Sequence, residues 1–261
     1  MMNLNGTSSS KLIELNWELL EEMDNFIDKL PTELPERGHH DQFAFICLYR
    51  YARDLTVDLT LLTKATAEAA VTFNSVGMHM LCRSLLVTCI DTYYIKVDPL
   101  ERAKRYMDFN VFVALPPVND SEEEQERKKN QFIQSYSETI NGRVKKPSIM
   151  DWSGISTKEK IKGGIQLFFS ENNQDTVSDS ILGFYNICCN HVHGNFTIGM
   201  YTTWEPETEE QLRAKKEKGL KVIGDCMFLC NSLIMENLYK LYQENTESLD
   251  EICQRFYSLL D

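Results

Sequence analysis

Glycine and proline are both scarce in this 261-residue chain, at 12 and 7. So few turn formers point to long uninterrupted elements, and helices fit better than many short strands. Nowhere do about 18 apolar residues run together, so no membrane span and no membrane partner is expected. Positive charge is also short. Lys and Arg number 27 against 39 Asp and Glu, for a net charge of -12. That excludes diffuse attraction of the whole surface to phosphate backbones and leaves room only for a local basic groove. The chain contains no phosphate-binding glycine loop, no His-Glu-x-x-His and no nucleophile elbow. A nucleotide-driven or standard hydrolase mechanism would need one of them.

What is there is an ordinary globular composition, 43% hydrophobic, sufficient for a sizeable core. The first ten residues, Met1 to Ser10, carry neither a basic region nor an apolar run. No secretory signal is expected there, and residues 1–9 are expected to be disordered. Residues 10–261 are expected to form a single all-α domain of about eight helices, with no evident boundary or repeat. The eight cysteines all lie in apolar helical stretches. They are best explained as free core thiols in a reducing cytoplasm. Cys226 and Cys230 are one helical turn apart but lack a matching Cys-x-x-Cys pair, so neither a metal nor another cofactor is expected.

Apolar periodicity predicts a first helix capped by Ser10 and running to about Lys29, then a second from Asp41 past Leu62. A third, from about Thr72 to Val97, is apolar nearly all round, which belongs inside a domain. Arg83 and Asp91 are its exceptions, and each needs a partner helix or a polar pocket. Asp98-Pro99 starts a fourth helix, which carries Arg102, Lys104 and Arg105 beside Tyr106 and Phe109. This basic, aromatic-interleaved segment is the local candidate for holding a phosphate. A solvated helix is expected over 120–140, and a loop over 141–156 that holds Trp152. Ser156 and Glu159 read as a capping box. Residues 196–204 suit a short strand, a near-heptad helix follows from about Glu207 to Tyr242, and Ser248 caps the last helix.

The chemistry concentrates in Ser178 to Asn195, within a helix expected to open on Asp175 or Ser178 and to stop at Gly194, with His191 and His193 in its last turn. His191 shares a face with Phe184, Ile187 and Cys188, as a core histidine would. His193 lies on a polar stripe with Asn186, Cys189 and Asn190, suited to a cavity. An imidazolium near a helix C-terminus is favoured by the dipole, so His193 is the candidate general acid or phosphate contact.

The order Trp152-Ser-Gly154-x-Ser156, Tyr185 and His191-Val-His193-Gly-Asn195, with Arg83-Ser-Leu-Leu and Tyr93-Tyr94-Ile95 upstream, resembles a bacterial and phage family of helical domains of unknown function. The resemblance spans roughly Asp41 to Asn195. The pattern is also similar, more remotely, to the HEPN superfamily of helical bundles, whose arginine and histidine form a metal-independent RNase site often completed by dimerisation. That likeness implies a HEPN-like core with extra helices and His193 as the acid or base. Asn186 falls in the arginine's place, with His191 nearby. Asparagine cannot neutralise a phosphodiester, so Arg83 or Arg105 would have to supply the charge. Arg102, Arg105, Trp152 and Asn195 would hold the substrate.

The expectation is a HEPN-like ribonuclease or nucleic-acid-processing effector of bacterial stress or phage defence, acting on RNA, with His193 and Arg83 central and a homodimer as the assembly. The alternative is a non-catalytic helical module, antitoxin or scaffold, that binds a protein partner.

Overall fold

A computed structural model gives the fold. It describes residues 8–29, 40–68, 75–114, 119–140, 143–147, 151–165, 174–192, 208–242 and 246–259. The protein is an all-α helical bundle, with nine α-helices among the described residues. They are α1 (Ser8–Lys29), α2 (His40–Glu68), α3 (Ser75–Val97), α4 (Pro99–Phe109), α5 (Glu122–Ser135), α6 (Thr157–Ile165), α7 (Gln174–Val192), α8 (Glu209–Tyr242) and α9 (Glu247–Tyr257). A π-helical turn, Asn110–Ala114, extends α4. The chain divides into two compact units, one of Met1–Leu30, Leu48–Cys89 and Ser180–Asp261, the other of Pro31–Cys47 and Ile90–Asp179.

In the first unit α1 lies along α8, and α9 packs on both. The repeat that predicted α1 is its buried face: Leu12, Leu15, Leu19, Met23 and Phe26 are at most 3% exposed. Phe228 of α8 stacks on Phe256 of α9 with centroids 4.1 Å apart. The α1 and α8 backbones meet at Gly224, where a Cβ would fall 2.6 Å from Leu12. Beside that contact Asn16 donates to the carbonyls of Leu12 at 2.9 Å and Gly224 at 3.2 Å, tying the two helices together. The Tyr49 hydroxyl donates to the Met23 carbonyl at 2.7 Å, and burial pushes its pKa far up.

In the second unit Phe132 and Tyr136 of the α5 end sit at the core, Phe132 against Phe109 at 5.7 Å. Asp98 precedes the first-turn proline of α4 as expected, but its side chain makes no capping bond. The Ser156 box forms: the Glu159 N–H donates to Ser156 Oγ, and the Ser156 N–H to Glu159 Oε2.

Five expectations need correction. The helix expected over 120–140 stops at Ser135, and Glu138–Ile140 pairs antiparallel with Arg143–Lys145 as strands β1 and β2. The strands flank Asn141-Gly142, the strongest short hairpin signal there is, followed by β-branched Val144. The expected loop of 141–156 therefore includes a strand. Ser121, one residue after the expected acidic start, caps α5 by accepting from the Glu124 N–H. At the other termini Thr246 rather than Ser248 precedes α9, and Ser10 lies inside α1 rather than capping it. The extended segment expected over 196–204 and the expected disordered N-terminus fall on residues outside the described ones, apart from Ser8 and Ser9, which are helical.

Gly224→Ala should lower stability by about 1–3 kcal/mol, because the added methyl overpacks the Leu12 contact. A urea midpoint that falls with unchanged slope would show it, and an unchanged midpoint would mean α1 and α8 can separate freely.

Candidate functional site

Helix propensity and an apolar stripe carry α7 to Val192, and in the first unit its later turns face α3. There Arg83 of α3 donates from Nε to Cys189 Sγ at 3.3 Å, and its guanidinium lies 5.6 Å from the Tyr185 ring centroid. One turn earlier, His79 of α3 meets the ring of Phe184 at 6.4 Å. No described carboxylate pairs with Arg83, which is unusual in so acidic a protein. Burial opposes its charge, but the bonds to Cys189 and Tyr185 outweigh that and move its pKa up. Cys189 stands four residues before His193 in the sequence.

Asn186 is half-buried on α7 beside Tyr185. The His191 backbone belongs to α7, its side chain lies outside the described part, and His193 and Asn195 are outside the described residues altogether. The structure therefore brings Arg83 to the turns of α7 that precede the histidines.

Beneath this surface the thiols form a chain. Cys230 on α8 bonds both Cys226 and Cys89, and Cys226 bonds Cys82. Their bonds to Cys230, together with full burial, push the Cys89 and Cys226 pKa values well above the ordinary thiol range. All eight cysteines are free, and only Cys47, Cys189 and Cys253 are partly exposed. No group of three or more His, Cys, Asp or Glu among the described residues is arranged to hold a metal ion.

The second unit gathers the other candidates. Asp91, 7% exposed, receives Lys160 Nζ at 2.8 Å and the Trp152 indole N–H at 3.1 Å. Lys160 also lies 3.5 Å from Asp151 and 4.9 Å from the Trp152 ring. Tyr94 and Tyr106 meet Trp152 edge-on at 5.6 and 5.4 Å. Arg102 stacks 3.9 Å above the Tyr94 ring and donates to the Tyr94 carbonyl at 2.7 Å. Arg105 is buried, donates to the Ser153 carbonyl at 3.3 Å, and is moved down in pKa by that burial. Lys104 bridges Asp108 and Tyr136, which raises its pKa. Arg102, Arg105 and Trp152 are thus assembled into one cation-aromatic cluster. One donor of each is taken by a protein acceptor: the Tyr94 carbonyl, the Ser153 carbonyl and Asp91.

Sequence reasoning missed Lys160, which looks like one surface lysine among several around 158–162. Its signal was Asp91, a carboxylate in an apolar helix that had to find a cation somewhere.

No family model, curated protein or solved structure matches this chain. No helix of the described residues is long and apolar enough to cross a membrane.

Lys160→Met should cost about 3–5 kcal/mol, since it strands a buried carboxylate. The double variant Lys160→Met/Asp91→Asn should recover part of that loss, and a cycle of urea melts without recovery would deny the coupling. Native protein titrated with an aromatic disulfide reagent should react quickly at no more than the three partly exposed cysteines, and at all eight once denatured.

Proposed function

We propose that the protein is a HEPN-like, metal-independent ribonuclease or nucleic-acid-processing effector of bacterial stress or phage defence. It works in the cytoplasm as a homodimer. The observation that carries this reading is Arg83, a cation without a carboxylate partner among the described residues, held against Cys189 and Tyr185. Asparagine at position 186 leaves the HEPN-like pattern without its arginine. Arg83, reaching α7 from α3, is the replacement. In the proposed chemistry His193 moves a proton at the scissile phosphate, either from the attacking hydroxyl or to the leaving oxygen. The guanidinium offsets the charge that accumulates on the phosphoryl oxygens. Tyr185 beneath it and the Cys189 thiol beside it hold that guanidinium in one orientation.

A second reading has its own support. Val76, Met80 and Ile187, on α3 and α7 of the same unit, are 48%, 47% and 46% exposed, and apolar surface of that kind favours a protein-interaction module such as an antitoxin or scaffold.

The deciding measurement is cleavage of mixed cellular RNA in chelator by the parent protein and by His193→Ala, Arg83→Gln and Arg83→Lys, each checked for helicity. His193→Ala and Arg83→Gln should each lose about 100-fold or more, with partial recovery in Arg83→Lys. Equal activity in all four, or none in any, would end the nuclease reading and favour the interaction module.

A further inference from the structure

The chain is acidic as a whole, but residues 143–162 reverse the sign. They hold six basic residues, Arg143, Lys145, Lys146, Lys158, Lys160 and Lys162, against the acids Asp151 and Glu159. Inside the second unit the stretch is folded back on itself. Gly154 has φ +68°, and a Cβ there would fall 2.9 Å from the Lys146 carbonyl carbon. Only glycine permits this approach, and it seats the Lys146 backbone on the turn that leads into α6. The capping box at Ser156 and Glu159 then starts α6 immediately.

Helix geometry separates the lysines of α6. Lys160 and Ile161 are buried, with Lys160 committed to Asp91. Lys158 and Lys162 are one turn apart on another face, and both are exposed, as is Lys146. None of these three makes an ion pair with a described residue. Arg127 and Arg255, by contrast, pair with Glu124 and Glu18, while Lys11, Lys29 and Lys64 are exposed without an ion pair to a described residue but lie far apart in the sequence. The Asp151 carboxylate accepts from Ser153 and lies 3.5 Å from Lys160.

We infer that Lys146, Lys158 and Lys162 form a contact face for the phosphate backbone of single-stranded RNA. This rests on the ribonuclease reading for its choice of polyanion. The lysine ammoniums are hydrated point charges on flexible stems, suited to phosphates at variable spacing rather than to one fixed carboxylate. The face contributes affinity and orientation without sequence preference. It gives an acidic protein a local positive patch.

The test measures fluorescence anisotropy of a labelled single-stranded RNA of about 20 nucleotides. It uses full-length His193→Ala in chelator, so that cleavage does not interfere. Adding Lys146→Glu, Lys158→Glu and Lys162→Glu should weaken binding at least about 10-fold and flatten the log affinity against log salt slope by about 2, near 0.7 per lost contact. Arginine at the same three positions should keep binding. Glutamate at Lys11, Lys29 and Lys64, exposed lysines of the first unit, should leave it within about 2-fold if the contact is local. The inference is overturned if the parent binds no RNA, if the two glutamate triples behave alike, or if polyglutamate of equal charge competes as well as RNA. Lysine-dependent binding in a protein that cleaves no RNA would uphold the face and sink the nuclease. Cleavage with binding untouched by the triple would do the reverse.

Discussion

The Asp91 carboxylate is the constraint that organises the second unit. A charge in an apolar helix is tolerated only when its lone pairs are met, and Lys160 and the Trp152 indole meet them. Those two bonds bring the turn after β2 and the start of α6 against α3. Once Trp152 is fixed, Tyr94 and Tyr106 have a ring to pack on, and Arg102 has the face of Tyr94. Turning Lys160 inward also decides that Lys158 and Lys162 turn outward, because residues two apart on a helix cannot share a face. One buried carboxylate thus settles both an interior and a surface.

The first unit solves a different problem. Its interior is packed by aliphatic and aromatic side chains of α1, α8 and α9, and thiols fill the gaps where α3 and α8 meet. Thiols in a dry core behave as small apolar groups, and their raised pKa values keep Cys89 and Cys226 protonated. Arg83 stands at the edge of that core. Among the described residues it is held by a sulfur and a ring instead of a carboxylate. An arginine already paired with Asp or Glu would have to break that pair first, as Arg53, bonded by Asp24 at 2.7 and 3.0 Å, would.

Much of the fold was legible because local rules act over a few residues. The scarcity of glycine and proline, the repeat Leu12, Leu15, Leu19, Met23, the Asp98-Pro99 start and the Ser156 box each describe an element whose partners lie within a turn. The pairing of 138–140 with 143–145 was not read: Asn141-Gly142 signals it, but the helix expected over 120–140 ran past the change of period. Of the candidate site, Arg83, Asp91, Arg102, Arg105 and Trp152 stood out as residue types in unusual company. Their roles did not, because type and spacing do not reveal a distant partner.

By itself the sequence determined the all-α class, the starts of α4 and α6 and the identity of the charges that burial would make expensive. Tertiary structure alone decided which groups meet them. Lys160 lies 69 residues from Asp91, Trp152 lies 61 from it, and Cys189 lies 106 from Arg83. Periodicity shows that a residue faces inward and says nothing of which helix will face it, because the free energy of an ion pair or a ring contact depends on separation in space and not along the chain.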